Sequence, residues 1–192
     1  MSHFSQHYLI GLCSLLNNFP HEHFDKMIQE IMNSYHEERN IFVMGNGGSG
    51  STASHWTCDV NKGCCLTLDK KFKMICLNDN VPTMMAYAND ISYDDVFVES
   101  MKNFFKPGDL VIGISGSGNS KNVLKAIEYA KMNDGRTVGL CGYAGGKLLD
   151  IVDIPLLAKV NDMQKVEDVH MIIVHMSMQA IATELGLQAD AC

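Results

Sequence analysis

The residues of this 192-residue chain that can do chemistry gather in two glycine-rich stretches and a handful of histidines and carboxylates. Ser115-Gly-Ser-Gly-Asn-Ser120 is the more telling stretch. Three hydroxyls, at Ser115, Ser117 and Ser120, surround Gly116 and Gly118 immediately before a helical pattern. Glycine permits close backbone approach, and the first-turn N–H groups of a helix point at an anion with the helix dipole behind them. Serine adds donors without adding charge. The product is a phosphomonoester cradle without the lysine of a P-loop, suited to a sugar phosphate more than to a nucleoside triphosphate. The plain alternative is a Gly/Ser-rich turn with an ordinary N-cap.

Met44-Gly-Asn-Gly-Gly-Ser-Gly50 supports two readings. Glycines 45, 47 and 50 satisfy G-x-G-x-x-G, and Asp69 follows at about the ~20-residue spacing of a ribose-binding carboxylate. Against a dinucleotide, Ser49, Ser51 and Thr52 make the turn very polar, and Asp69 is followed by two lysines. A cofactor loop and a sugar-hydroxyl loop both stay open at this point.

His55 and Asp59 are four residues apart on one predicted helix, on one face and about 6 Å apart at Cβ. Such a pair can chelate a metal or form an acid–base couple, although most such pairs are only surface polar contacts. On the last predicted helix, His170 and His175 are five residues apart and face directions about 140° different, so one of them is a structural histidine. Asn89-Asp90 closes a helix in AYAND, where a carboxylate could reach the crevice at the strand ends or simply stop the helix.

The elements that must position these groups are legible as periodicity. Ile41–Met44, Lys73–Leu77, Leu110–Ser115, Thr137–Cys141 and Ile154–Ala158 are short runs apolar on both faces, the mark of parallel strands covered by helices. Helical patterns at Ser51–Asn61, Val81–Tyr87, Asp94–Phe105, Asn119–Asn133 and Val166–Leu185 separate or follow them. The expectation is one doubly wound α/β domain over residues 1–192, with a five-stranded parallel sheet and right-handed crossovers. Residues 1–36 read as a pair of helices broken at Pro20, with surplus apolar residues for the domain or a neighbouring subunit. Both glycine loops would leave strand carboxyl ends, where open α/β sheets bind ligands.

Composition narrows the classes. Hydrophobic residues make up 46% and charged residues 19%, which describes a globular chain. A net charge of −7 argues against nucleic acid as a partner. No apolar stretch reaches the ~20 residues of a membrane span. Seven cysteines without a C-x-x-C pair read as free thiols in a reducing cytoplasm, and no signal-peptide pattern opens the chain.

Taken together, VMGNGGS at 43–49, His55 and Asp59, LNDN and AYAND within 77–90, GISGSGNS at 113–120 and VEDVHMIIVH at 166–175 resemble the sugar isomerase (SIS) domain, specifically the phosphoheptose isomerase family. The resemblance spans almost the whole chain and turns the opening ambiguity against NAD. It implies that Asn46, Gly47 and Gly48 line the sugar and that Asn89 and Asp90 contact its hydroxyls. It implies a phosphate on Ser115, Gly116, Ser117 and Ser120, with Glu167 also at the substrate. His55, Asp59, Glu167 and His175 fall at the family's metal positions, usually zinc though another divalent cation would serve. Asp59 and His175 fall at its acid–base positions. The activity implied is conversion of sedoheptulose 7-phosphate to D-glycero-D-manno-heptose 7-phosphate by a homotetramer. Two other readings go with the resemblance: an isomerase of another sugar phosphate, and a non-catalytic SIS module that binds the replication initiator.

The chain departs from the family pattern at three of these positions: Asp59 stands for a usual Glu, Glu167 for a usual Gln, and Gly116 for a usual Thr. Glu167 and His175 also lie eight residues apart, about 12 Å of helix rise, which sets a geometric condition on their sharing one ion.

Overall fold

Five apolar runs become five parallel strands: β1 (Asn40–Gly45), β2 (Lys73–Cys76), β3 (Leu110–Ser115), β4 (Arg136–Gly142) and β5 (Ile154–Ala158). This computed structural model describes residues 3–187; Met1, Ser2 and residues 188–192, Cys192 among them, lie outside it. The strand order is β2-β1-β3-β4-β5. Register is regular across the centre, with Val43 opposite Ile112 and Ile114 opposite Leu140. Every residue of β3 is buried, as a central strand covered on both faces requires. Pro155 stands in β5 at the sheet edge, where a missing N–H costs least.

Alternation along each strand divides the core in two. Ile41, Val43, Ile112 and Ile114 face one layer, made by α2 (His21–His36), α3 (Gly48–Cys58) and α8 (Met163–Glu184). Phe42, Met44 and Val111 face the other, with α4 (Val81–Asp90), α5 (Val96–Lys102), α6 (Lys121–Met132) and α7 (Gly146–Ile151). Helix α1 (Phe4–Leu16) has no fully buried residue and rests Leu12, Leu15 and Leu16 against the first layer. Its Tyr8 hydroxyl donates to Asp168 on α8 at 2.5 Å, a bond that raises the phenol pKa to about 12. The result is the doubly wound sheet that the periodicity predicts.

The differences from expectation are local. Helix α7 has no counterpart in the sequence pattern, because it is only six residues long and begins at Gly145 and Gly146, both at positive φ. Helix α3 begins at Gly48 instead of Ser51 and passes into a π-helical turn over Asp59–Cys64. The predicted helix Asp94–Phe105 is a 3-10 turn over Tyr93–Asp95 followed by α5. Cys13 and Cys58 are exposed and Cys64, Cys65, Cys76 and Cys141 buried, all without disulfides among the described residues.

Candidate active site

The order 2-1-3-4-5 reverses direction between β1 and β3, and both glycine loops leave the sheet at that switch point, where such sheets open a crevice. The loop after β1 enters α3 and the loop after β3 leads to α6. Gly47 takes φ 55° and ψ −124°, a conformation that only glycine adopts readily. As N-cap of α3 it offers no side chain to the first-turn N–H groups. Ser120 is the N-cap of α6, yet it makes no side-chain cap; its hydroxyl lies 3.1 Å from that of Ser115. Two helix N-termini therefore face one hollow without side-chain caps from their N-cap residues.

That hollow, about 200 Å³, is lined by Asn46, Ser49, Ile114, Ser115, Gly116, Ser117, Ser120, Met163 and Glu167. Its turn is tightly made. Gly118 has φ 65°, its N–H donates to the Ser115 carbonyl at 2.9 Å, and its carbonyl accepts from Leu148 N–H at 2.9 Å. A larger hollow of about 470 Å³ between α2 and α8, lined by Phe24, Asp25, Gln29, His36 and Glu184 among others, carries none of the predicted groups. The chemistry therefore designates the smaller one.

Further along α3 and into the π-helical turn, Ala53, Trp56 and Val60 turn into the core at helical spacing, and Trp56 is fully buried. Burying the apolar faces of these three side chains favours this rotation of the helix. His55 and Asp59 then emerge on the neighbouring face, opposite α8. His55 Nε2 lies 3.1 Å from His175 Nε2 and 3.3 Å from Asp59 Oδ2, with the rings edge-on at 75°. The ligand atoms of the three residues all lie within 4.8 Å of one another. Two imidazole nitrogens and a carboxylate oxygen converging in this way suit a borderline divalent cation.

Glu167, predicted to join this metal group, does not. Eight residues before His175, it lies about two turns back along α8. Its carboxylate instead abuts Gly48, where a Cβ would collide with it, and lines the serine hollow. A carboxylate there meets the favourable end of the α3 dipole. Asn89 and Asp90 are exposed at the end of α4, where the Asn89 amide donates to Asp90 at 2.7 Å, and neither lines the hollow. His170 is the structural histidine of its pair. It is fully buried, its Nε2 lies 3.2 Å from the Cys141 carbonyl oxygen, and burial pushes its pKa down to about 4.

Three residues at the site escape a motif-based reading. Asn78 brackets Gly45, accepting from its N–H at 3.2 Å and donating to its carbonyl at 2.7 Å, which ties the loop after β2 to the loop after β1. Asn122 and Tyr93 both hydrogen-bond the Asn46 carboxamide. Asn78 and Asn122 lie inside or beside the two stretches LNDN and GSGNS, but nothing in a linear pattern distinguishes a loop tie from a surface asparagine.

A sequence profile described as the SIS domain matches residues 7–142. The chain is 34% identical over 152 residues to a phosphoheptose isomerase of Helicobacter pylori, covering 79% of this chain and 78% of the relative. It is 36% identical over 146 residues to that of Aliarcobacter butzleri, covering 76% and 77%. The structure of the phosphoheptose isomerase of Neisseria gonorrhoeae superposes with a TM-score of 0.86 over 93% of this chain and 96% of that one, at 23% identity, a likeness of fold.

Proposed function

We propose, from the premise that this chain belongs to the SIS domain family and within it to the phosphoheptose isomerases, that it interconverts sedoheptulose 7-phosphate and D-glycero-D-manno-heptose 7-phosphate. The observation that carries this reading is the pairing, across α3 and α8, of an anion cradle with a His/Asp/His group. The cradle lies at Gly48 and Glu167, and the group at His55, Asp59 and His175. On both helices the two are about two turns apart, roughly 10–12 Å. An open-chain seven-carbon sugar phosphate anchored by its phosphate has the length to bring C1 and C2 to the imidazoles.

The chemistry required is a proton moved from C1 to C2 and another from the O1 hydroxyl to O2, through an enediol. Ser115, Ser117 and Ser120 with the α6 N-terminus hold the phosphate, and Asn46, Gly47 and Gly48 line the sugar. Asn89 and Asp90 would reach sugar hydroxyls only from a neighbouring copy or after a movement of α4, since they lie outside the hollow in one chain. Asp59 and His175 exchange the carbon- and oxygen-bound protons, a carboxylate–imidazole couple suited to this step. His55, Asp59 and His175 would hold a divalent ion, zinc by preference, which supplies Lewis-acid polarisation of the carbonyl. A homotetramer is part of the same proposal. Its support is α1, which leaves Phe4, Leu9 and Ile10 more than half exposed.

The test is turnover of sedoheptulose 7-phosphate by the purified chain, beside Asp59→Ala, with and without chelator. Wild-type turnover, a loss of at least 100-fold in the variant, and recovery from chelation by zinc are expected. No turnover by the wild type with any divalent metal would reject the reading. The Glu167 carboxylate in the cradle favours a second possibility, a different ketose phosphate. Assaying C5 to C7 ketose phosphates in parallel separates the two.

A further inference from the structure

The Asn46 carboxamide lines the cradle, and the hydrogen bonds around it leave it a single way to interact with a ligand. The backbone N–H of Val123 can only be a donor. It donates to Asn122 Oδ1 at 2.9 Å, which fixes which atom of that side chain is oxygen. Asn46 Nδ2 then donates to the same Oδ1 at 2.9 Å, and Asn122 Nδ2 donates back to Asn46 Oδ1 at 2.9 Å. The Tyr93 hydroxyl donates to Asn46 Oδ1 at 2.8 Å. The Asn46 oxygen thus accepts two bonds, one for each lone pair, and its nitrogen spends one of two N–H groups. What is left is one N–H.

The supports are themselves anchored. Asn122 is 2% exposed, one residue into α6 beyond Lys121. Tyr93 sits in the 3-10 turn that Ser92 caps, and that turn is tied to α6 by Asp95–Lys125 at 2.7 Å and Asp94–Lys121 at 3.6 Å. Asn46 is therefore clamped between the helix that follows the phosphate loop and the turn that precedes α5.

We infer that Asn122 and Tyr93 are positioning residues that lock the Asn46 carboxamide with its N–H edge toward the cradle, so that it serves the substrate as a donor to a sugar oxygen and never as an acceptor. Without them a free amide could turn over and present its carbonyl, which would repel the same oxygen. A donor held in this way meets a sugar oxygen near the phosphate end at no reorganisation cost when the substrate binds. This inference rests on the isomerase reading and adds to it two residues and the polarity of a third.

The experiment is a double-mutant cycle in kcat/KM for sedoheptulose 7-phosphate, joining Tyr93→Phe and Asn46→Ala. Tyr93 is 56% exposed, so removing its hydroxyl leaves the core intact. Tyr93→Phe is expected to lower kcat/KM about 3- to 10-fold, the range for one neutral hydrogen bond. That loss should vanish when Asn46 is already alanine. The melting temperature and the inhibition constant of inorganic phosphate should stay at the wild-type values, because the serine loop is untouched. Asn122→Asp keeps the acceptor for Val123 but turns the donor facing Asn46 into an acceptor, and should cost on the order of 10- to 100-fold. An equal Tyr93→Phe loss in both backgrounds, or a matching loss of phosphate affinity, would overturn the inference while leaving the isomerase standing. Absence of wild-type turnover would remove the isomerase reading, and the inference with it.

Discussion

Glu167 shows most clearly how one side chain can alter a site without altering its shape. Its carboxylate shares a hollow of about 200 Å³ with Ser115, Ser117 and Ser120, the groups proposed to hold a dianion. Two like charges about 6 Å apart near a protein surface repel by roughly 1–3 kcal/mol, with solvent screening favouring the lower end. Glu167→Gln should therefore tighten binding of sulfate, a dianion whose charge is constant above pH 4, by about 5- to 10-fold in titration calorimetry. Equal affinities in the two proteins would mean that Glu167 points away from the anion. His170 provides a pH prediction of a different kind. Its folded pKa is lowered to about 4 from an ordinary 6.5, so between those values the unfolded chain binds more protons. The stability that the neutral buried ring contributes is complete above pH 6.5 and falls as the pH drops toward 4. Urea midpoints measured from pH 7 to pH 4.5 should decline, and His170→Asn should flatten the part of that decline lying below pH 6.5.

At the scale of elements, the site depends on where helices begin. Gly118 can hold the turn after β3 because it accepts φ 65° and because its missing side chain leaves room for the Gly145 carbonyl. A methyl group there would collide with that carbonyl and strain the backbone, at a cost of about 2–4 kcal/mol. Gly118→Ala should lower the urea midpoint accordingly and abolish phosphate binding together with turnover; a variant with unchanged stability would show that the turn is softer than it looks. Helix α3 carries a similar dependence. Trp56 sets its rotation, Gly48 clears space for Glu167, and the π-helical turn beginning at Asp59 lets the helix finish under β2 while Asp59 stays opposite α8. The apolar periodicity of α2, α6 and α8 and the runs of β1 and β3 were legible in the order of residues. Helix α7 and the exact start of α3 were not, because glycines open both and glycine carries no periodic signal.

At the scale of the whole molecule, the two layers on the sheet are complete, but α1 is not. Phe4, Leu9 and Ile10 remain outside, with Val81, Met85 and Ile91 exposed elsewhere. Among the described residues no helix is long and apolar enough to cross a membrane, so these side chains do not mark a spanning segment. Pairing with further copies of the chain is the proposal they support. Sedimentation of the wild type should give a mass near four chains of 21.3 kDa. Leu9→Glu combined with Ile10→Glu should shift it toward smaller species without unfolding the core, since α1 buries no residue fully. A monomeric wild type would leave α1 without the partner that its composition calls for.

The sequence by itself determined the layered α/β architecture, the two glycine-rich loops at strand ends and the pairing of His55 with Asp59. Hydrophobic alternation and glycine punctuation are local signals, and four-residue helical spacing makes His55 and Asp59 neighbours before any folding is known. Only the tertiary structure decided which of His170 and His175 faces solvent, because that depends on which side of α8 meets the sheet. It also decided that Glu167 joins the serine hollow instead of the imidazoles, since helix rise separates side chains that a motif lists together. The clamp of Asn122 and Tyr93 on Asn46 belongs entirely to the fold. Those residues are 76 and 47 positions away in the chain, and nothing short of the packing of α6 and the 3-10 turn against the loop after β1 brings them within 3 Å.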